Sequence, residues 1–314
     1  MMRVLVLGGG PDAEREISLK SSGAVHKACL ESGFDAELVI VDRPSMDDVR
    51  SWVDAVVFPV LHGRFGEGGE LQAMMEEADI RFVGSGSRAG KLAMDKMGTK
   101  LAAARLGIPT ASAAVLDPSD VSNSAHAVCP IALPVVVKPV ADGSSVGLHL
   151  CDDEAQWKAA LNEVVADAKR VYMIEQRIRG RELTVGVIGD ESGGLRALPI
   201  IEIAPKEGTY NFEAKYNRSD TVYTPNPRLG PGVTEKVQEQ AVSLCKAIGV
   251  RHLARVDFLA PSDGSEPMVL EVNTMPGFTA SSLYPMASRA SGMELPALCT
   301  HLIHLAAHTA TVPH

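Results

Sequence analysis

Residues 253–285, LARVDFLAPSDGSEPMVLEVNTMPGFTASSLYP, contain the pattern around which the rest of the chain is organised. Two short runs, 253–259 and 268–272, are rich in apolar or β-branched residues, which predicts strands. Between them stand Pro261, Ser262, Asp263 and Gly264, which are typical of a hairpin turn. The stretch therefore predicts a two-stranded hairpin followed by a loop.

Each predicted strand carries its polar residues on one face. Because side chains alternate along a strand, Arg255 and Asp257 share a face, and Glu271 and Asn273 share a face of the partner strand. The opposite face is apolar and consists of Val256, Phe258, Leu270 and Val272. We expect the apolar face to join a core and the polar face to line a site.

The polar face has the composition of a site for a hard cation. Oxygens of Asp257, Glu271 and Asn273 suit Mg²⁺ that also binds phosphates, and Arg255 adds a fixed positive charge beside them. The alternative is a solvated face of an edge hairpin, although Asp and Asn are depleted in strands. In the following loop, the backbone N–H groups around Gly277 could bind an oxyanion or a phosphate.

Composition and charge argue against several classes of protein. The 314 residues are 46% hydrophobic and 22% charged, as in a soluble enzyme of two or three domains. A net charge of −9 without a basic cluster argues against a nucleic-acid partner. The sequence contains no apolar run of 18 residues, so no membrane span is predicted. The scattered, odd-numbered cysteines indicate reduced thiols in the cytoplasm: Cys29, Cys129, Cys151, Cys245 and Cys299.

The N-terminal part predicts a doubly wound parallel sheet. An apolar run at 3–7 ends in three glycines, a helix is expected over 18–29, and strands are expected over 36–41 and 54–60. Gly8, Gly10 and Ala13 also fit a weak dinucleotide motif, which leaves an NAD-dependent oxidoreductase as an alternative. However, Glu14 and Glu16 stand where a pyrophosphate would bind. They suit an ammonium ligand, or they simply favour the helix N-terminus.

The central part predicts a phosphate-binding hairpin and a lid. Lys138 lies inside the predicted strand 134–140, and a Gly/Ser-rich turn follows at 141–147; the alternative is an edge strand protected by its lysine. Further strands of an antiparallel sheet are expected at 171–175, 182–188 and 197–203. The long aperiodic segment 204–232 is typical of a lid, and Lys215 and Tyr216 near its centre could reach into a site.

The motif E-V-N-T-x-P-G-x-T-x-x-S-L at 271–283 is similar to the signature of D-alanine–D-alanine ligases, which belong to the ATP-grasp superfamily. Other matching motifs are AEREIS (13–18), LHG (61–63), MDK (94–96), VKP-x-x-x-GSSVG (137–147), EAKY (213–216) and RVDF (255–258). The resemblance implies an α/β (α+β) chain with the ATP-grasp fold. It also implies an N-terminal doubly wound substrate domain (1–95), a central ATP-grasp domain (96–180) and a C-terminal ATP-grasp domain with metal site and lid (181–314).

Site residues carried over from the resemblance fall into three groups. It implies ATP contacts from Lys96, Lys138, Glu175, Gln176, Ile178, Glu182 and Lys215. It implies two Mg²⁺ ions, with Mn²⁺ as a substitute and K⁺ as an optional activator, held by Asp257, Glu271 and Asn273. It implies substrate and catalytic roles for Glu14, which is linked through Ser144 to Tyr216, and for His62, Arg255, Gly277, Ser282 and Leu283.

The resemblance further implies a cytoplasmic homodimer that joins two D-alanines through an acyl phosphate in peptidoglycan synthesis. Two departures from the family pattern stand out: Gly68 replaces an acid in HGRFGEGG (62–69), and Gln176 stands where a lysine is common. Tyr216 favours D-alanine over D-lactate as acceptor. The alternatives are a ligase with a D-lactate or D-serine acceptor and a non-catalytic nucleotide-binding regulator.

Overall fold

Three β-sheets form the frame of the chain in a computed structural model that describes residues 1–116, 128–143, 147–167, 169–205 and 220–309. The first sheet has three parallel strands in the order β2-β1-β3. Its elements are β1 (Arg3–Gly9), α1 (Arg15–Glu31), β2 (Asp35–Val41), α2 (Met46–Arg50) and β3 (Val56–Pro59). The parallel N-terminal sheet expected from the sequence is confirmed. Three helices follow: α3 (Gly63–Glu67), α4 (Glu70–Glu77) and α5 (Ser87–Met94).

The second sheet is antiparallel, with the order β4-β7-β5-β6. Its elements are α6 (Lys96–Arg105), β4 (Ala113–Leu116), β5 (Val135–Pro139), β6 (His149–Cys151), α7 (Glu154–Ala166) and β7 (Tyr172–Gln176). Helix α7 begins after Asp153, whose Oδ1 accepts the N–H of Gln156 at 2.9 Å. Because β5 pairs with both β6 and β7, Lys138 does not lie on an edge strand, and the edge-strand alternative is wrong.

The third sheet is also antiparallel, with the order β10-β9-β8-β11-β12. Its elements are β8 (Gly180–Gly189), β9 (Leu195–Ala204), β10 (Val222–Pro225), α8 (Val233–Ile248), β11 (Leu253–Pro261) and β12 (Met268–Asn273). The expectation that 171–175, 182–188 and 197–203 form one sheet is wrong, because β7 pairs with β4 and β5. A three-residue link, 177–179, leads from β7 to β8 in the other sheet.

The predicted hairpin is formed by β11 and β12, with Arg255 opposite Asn273 and Asp257 opposite Glu271. A β-bulge lies between these pairs and the next one, Phe258 opposite Val269, so Leu270 is the extra residue. As a result Val269 enters the core and Leu270 lines the cleft described below. The expectation that Leu270 shares the apolar face is therefore wrong.

The last two described helices pack on the N-terminal part of the chain. Helices α9 (Leu283–Ala290) and α10 (Leu295–His308) contribute Tyr284, Cys299 and Leu302 to a core shared with Val25 and Cys29 of α1. The packing of α10 on α1 holds the hairpin loop 274–282 close to the N-terminal sheet. In the described ranges, no helix is long and apolar enough to cross a membrane.

Candidate active site

A cleft of about 590 Å³ lies between the second and third sheets. Eight of the residues predicted for ATP or metal line it: Lys96, Lys138, Glu175, Gln176, Ile178, Glu182, Asp257 and Glu271. Strands β5 and β7 form one wall, and β8, β11 and β12 form the other. Ser144, Lys215 and Tyr216 lie outside the described residues.

Two lysines and a glutamate form a buried cluster at the wall made by β5 and β7. Glu175 Oε1 forms an ion pair with the Lys138 ammonium, and Glu175 Oε2 lies 3.0 Å from Lys100 Nζ. Burial raises the pKa of Glu175, but the two lysines outweigh it, so the pKa lies below its usual value. Sequence reasoning missed Lys100, although its position four residues after Lys96 on α6 places both lysines on one helix face.

Lys96 lies between the turn after β5 and the hairpin. Its Nζ donates to the carbonyl oxygen of Asp142 at 2.5 Å and lies 4.0 Å from Glu271 Oε2. Lys138 lines the same cleft, so the two lysines bring positive charge to a cleft that the hairpin carboxylates also line. That combination suits a phosphate chain bound together with a divalent cation.

The predicted metal ligands lie next to one another on the hairpin. Asp257 accepts hydrogen bonds from Arg255 Nε at 2.9 Å, Arg255 Nη2 at 2.8 Å and Thr184 Oγ1 at 2.5 Å. Glu271 is its cross-strand partner, and Asn273 Nδ2 lies 3.4 Å from Asp257 Oδ2. No group of three or more His, Cys, Asp or Glu residues that could hold a metal occurs in the described part of the chain. The donor set, two carboxylates and an amide, nevertheless has the hard-oxygen chemistry that Mg²⁺ prefers.

Glu14 is buried beside the turn after β5. Its side chain is 6% exposed, and a Cβ added at Gly143 would lie 2.8 Å from Glu14 Oε1. Glu16, two residues further along the chain, is exposed. The two acids therefore differ: Glu14 can bind a ligand inside the protein, whereas Glu16 stands in the exposed first turn of α1.

His62 is 7% exposed and is held in one tautomer. Its Nδ1 lies 3.0 Å from the carbonyl oxygen of Met275, so Nδ1 carries the proton and donates it. Burial lowers the His62 pKa to about 4; the Met275 carbonyl opposes this shift and Arg255 adds to it. At neutral pH the Nε2 atom is therefore an acceptor, and it is buried without a hydrogen-bond partner in the described structure.

Glu67 binds the same residue as His62, through the backbone N–H of Met275, and sequence reasoning did not single it out although it lies in HGRFGEGG. Glu67 Oε1 accepts from Gly63 N at 3.2 Å, and Oε2 accepts from Met275 N at 3.4 Å. Burial and then Glu14 raise its pKa to about 8, against these hydrogen bonds and Arg255. A partly protonated acid thus connects the His62 loop to the loop that contains Gly277.

Gly277, Ser282 and Leu283 lie where β12 leads into α9. A Cβ added at Gly277 would lie 2.8 Å from Ser282 Oγ, which accepts the N–H of Thr279 at 3.0 Å. Ser282 is the N-cap of α9, and no side chain caps the N–H groups of the first turn. Leu283 packs into the core and is 7% exposed.

Known proteins that are similar to this chain point to one family. The family model described as "D-ala D-ala ligase C-terminus" matches residues 102–304, and "D-ala D-ala ligase N-terminus" matches 44–85. The chain belongs to the D-alanine–D-alanine ligase family. A D-alanine–D-alanine ligase from Desulforudis audaxviator is 38% identical over 97% of this chain and 98% of the relative. Another, from Geotalea uraniireducens, is 39% identical over 97% and 96%.

Solved structures of D-alanine ligases show the same fold. The VanG D-Ala:D-Ser ligase from Enterococcus faecalis has a TM-score of 0.80 and 25% identity, covering 97% of this chain and 99% of the other. The D-alanine–D-alanine ligase from Coxiella burnetii has a TM-score of 0.79 and 27% identity, covering 97% and 93%. The ATP-grasp fold predicted from the motifs is therefore confirmed.

The departures from the family pattern have different structural settings. Gly68 ends α3, and a Cβ there would lie 2.3 Å from the carbonyl oxygen of Arg64. The chain thus turns too tightly at this position for a larger residue. Gln176 has an exposed side chain, and its backbone N–H donates to the carbonyl oxygen of Ser112 at 2.9 Å. The change at 176 thus falls on an exposed position of the cleft wall.

Proposed function

We propose that this chain is an ATP-dependent ligase that joins two D-alanines into D-alanyl-D-alanine for peptidoglycan synthesis. Membership of the D-alanine–D-alanine ligase family supports the reaction. The observation that carries the proposal is the cleft between two antiparallel sheets, which Lys96 and Lys138 line together with the carboxylates of Asp257 and Glu271. A plain binding module has little use for such a combination of cations and metal-type ligands.

ATP is proposed to lie along this cleft. Lys96 and Lys138 bind its phosphates, because buried ammonium groups form strong charge-assisted hydrogen bonds with phosphate oxygens. Glu175, Gln176, Ile178 and Glu182 lie on one continuous stretch of chain that crosses from one cleft wall to the other, and they line the adenine and ribose site. Lys215 of the proposed lid contacts the γ-phosphate. A Glu14 carboxylate at the N-terminus of α1 disfavours the NAD alternative, since a pyrophosphate would meet negative charge there.

Asp257, Glu271 and Asn273 would hold the two proposed Mg²⁺ ions, which Mn²⁺ could replace; K⁺ remains a separate proposal, tested by activity in Na⁺ and K⁺ buffers. Bound there, Mg²⁺ would neutralise phosphate charge. Two nitrogens of Arg255 donate to Asp257, so the guanidinium cation is fixed beside the proposed phosphate site before any ligand binds.

The chemistry proceeds in two steps. The carboxylate of the first D-alanine attacks the γ-phosphorus of ATP, which releases ADP and forms an acyl phosphate. The amine of the second D-alanine then attacks the acyl carbon and phosphate leaves. Glu14, with Ser144 and Tyr216, holds the first ammonium group; Arg255 and the Gly277 N–H stabilise developing negative charge. His62, Ser282 and the Leu283 backbone bind the second D-alanine.

Three further proposals concern organisation. The division into 1–95, 96–180 and 181–314 is supported by the three sheets, whose strands fall within those ranges except for Gly180, the first residue of β8. Five free cysteines and the use of ATP support a cytoplasmic location. A homodimer is an expectation from the family resemblance, and its test is the molar mass in solution.

The test is ADP release from Mg·ATP with D-alanine alone and with D-alanine plus D-serine or D-lactate, followed by identification of the product by mass. D-alanyl-D-alanine as the main product supports the proposal. Preferential D-alanyl-D-serine would favour the acceptor named for the Enterococcus faecalis structure. ADP binding without turnover would favour the regulator, and NADH binding without ATP binding would favour the oxidoreductase.

A further inference from the structure

Lys100 is a buried cation behind the cleft wall. It is 5% exposed and does not belong to the cleft lining, unlike Lys96 and Lys138. Its ammonium group has three oxygen partners: Thr110 Oγ1 at 2.7 Å, the carbonyl oxygen of Ala111 at 3.0 Å and Glu175 Oε2 at 3.0 Å. Two of its N–H bonds donate to Thr110 and Ala111, and the contact with Glu175 is an ion pair.

The three partners of Lys100 connect the cleft wall to the β11–β12 hairpin. Thr110 Oγ1 donates to the carbonyl oxygen of Val269 in β12 at 3.4 Å, and Val269 N donates back to the carbonyl oxygen of Pro109 at 2.9 Å. Glu175 lies in β7, next to β5 and Lys138. A lysine at this junction is costly to bury, and an apolar side chain of similar length would be a simpler filling. Its charge therefore needs a reason other than packing.

Lys100 and Lys138 share one carboxylate. Glu175 Oε2 is turned to Lys100, which leaves Oε1 for Lys138. Without Lys100, both Glu175 oxygens would be free to turn towards the Lys138 ammonium and draw it away from the cleft. We propose that Lys100 is a positioning residue for ATP: by holding one oxygen of Glu175, it keeps Glu175 against the nucleotide and Lys138 available to the phosphates.

This inference rests on the proposed use of the cleft for ATP, and Lys100→Gln tests it. The neutral amide can still donate to Thr110 or Glu175 but lacks the charge. We expect the KM for ATP and the Kd for ADP, measured by calorimetry, to rise about tenfold, the scale of one lost hydrogen bond to a charged group. The KM for D-alanine and kcat should change less than about twofold.

A pH profile separates positioning from a purely structural role. The ion pairs of Glu175 in the described structure come from Lys138 on β5 and Lys100 on α6; across the cleft, Lys96 of α6 and Glu271 of β12 lie close to each other instead. Lys100 helps to hold the Glu175 pKa low. Its loss should therefore move the acidic limb of kcat/KM for ATP to higher pH.

Two further variants complete the test. Lys100→Arg keeps the charge and should restore the acidic limb, even if Lys100→Gln does not fold; a shifted limb in the arginine variant would overturn the inference. Lys91→Gln, an exposed position on α5, is the matched control and should behave as the unmodified protein. A folded Lys100→Gln protein with unchanged ADP affinity also overturns the inference. Absence of ADP release by the unmodified chain would instead count against the proposed function.

Discussion

His62 and Met275, 213 residues apart in the sequence, are joined by a hydrogen bond of 3.0 Å from the imidazole Nδ1 to the backbone carbonyl oxygen. This bond joins the loop that follows the first sheet to the loop that follows the β11–β12 hairpin. It also fixes the proton on Nδ1 and leaves Nε2 as an acceptor. The same contact therefore sets the position of the ring and its tautomer.

We expect the protein to lose stability in acid through its buried histidines. Burial lowers the pKa of His62 to about 4 and that of His252 to about 3, from 6.5 in the unfolded chain. Because the unfolded state binds more protons in this window, the free energy of unfolding falls as the pH decreases from 6.5 towards 3. Each histidine contributes up to about 1.4 kcal/mol per pH unit there.

Urea unfolding of the unmodified protein and of His62→Gln between pH 7.5 and 4 measures this contribution. The difference between the two proteins should shrink as the pH falls, because the variant has no imidazole to protonate at position 62. A difference that stays constant over the whole range would contradict the low pKa of His62.

Glu67 should produce the opposite pH dependence. Its pKa is raised to about 8 from 4.5, so the folded state binds more protons between these values. The stability supplied by the neutral acid is complete below pH 4.5 and is lost as the pH rises through 8. Between pH 6 and pH 9 the melting temperature of Glu67→Gln should decrease less than that of the unmodified protein. The variant keeps an oxygen for Gly63. An equal decrease in both proteins would argue against a protonated Glu67.

Glu271→Gln should abolish ligase turnover and leave the fold intact. The substitution keeps the size of the side chain but removes one of two carboxylates from the proposed Mg²⁺ site. ADP release and a thermal melt check the two halves of the prediction. Glu266→Gln is the control, since Glu266 lies on the same hairpin but pairs with Lys236 at the surface. Normal turnover by Glu271→Gln would refute the metal assignment.

Local patterns predicted most of the strands and the face shared by Asp257 and Glu271, because alternation along a strand fixes the direction of each side chain. They failed where pairing decided the outcome. Leu270 changed sides through a bulge, which strand alternation cannot reveal, and β7 joined a different sheet from β8 across a three-residue link. Sheet membership depends on long-range partners rather than on the strand's own residues.

The functional residues that sequence reasoning missed are those that act through others. Lys100 and Glu67 are recognised by their partners, Glu175 in one case and Met275 in the other, and neither partner is near in sequence. Their residue types are ordinary on a helix, and only burial shows that each charge needs an explanation. Lys96 and Lys138, by contrast, lie in motifs that resemble those of the family.

Gly277→Ala should reduce ligase activity through a contact that a single methyl group creates. The added Cβ would lie 2.8 Å from Ser282 Oγ, and moving that hydroxyl breaks its bond with the N–H of Thr279. Displacement of the loop by a fraction of an ångström to 1 Å should lower kcat/KM by up to about 10²-fold.

Gly23→Ala is the control because a Cβ there meets nothing within 4 Å, in the middle of α1. It should keep full activity and raise the free energy of unfolding by about 0.5–1 kcal/mol. Equal activity of the two variants would show that the Gly277 loop tolerates the added methyl group.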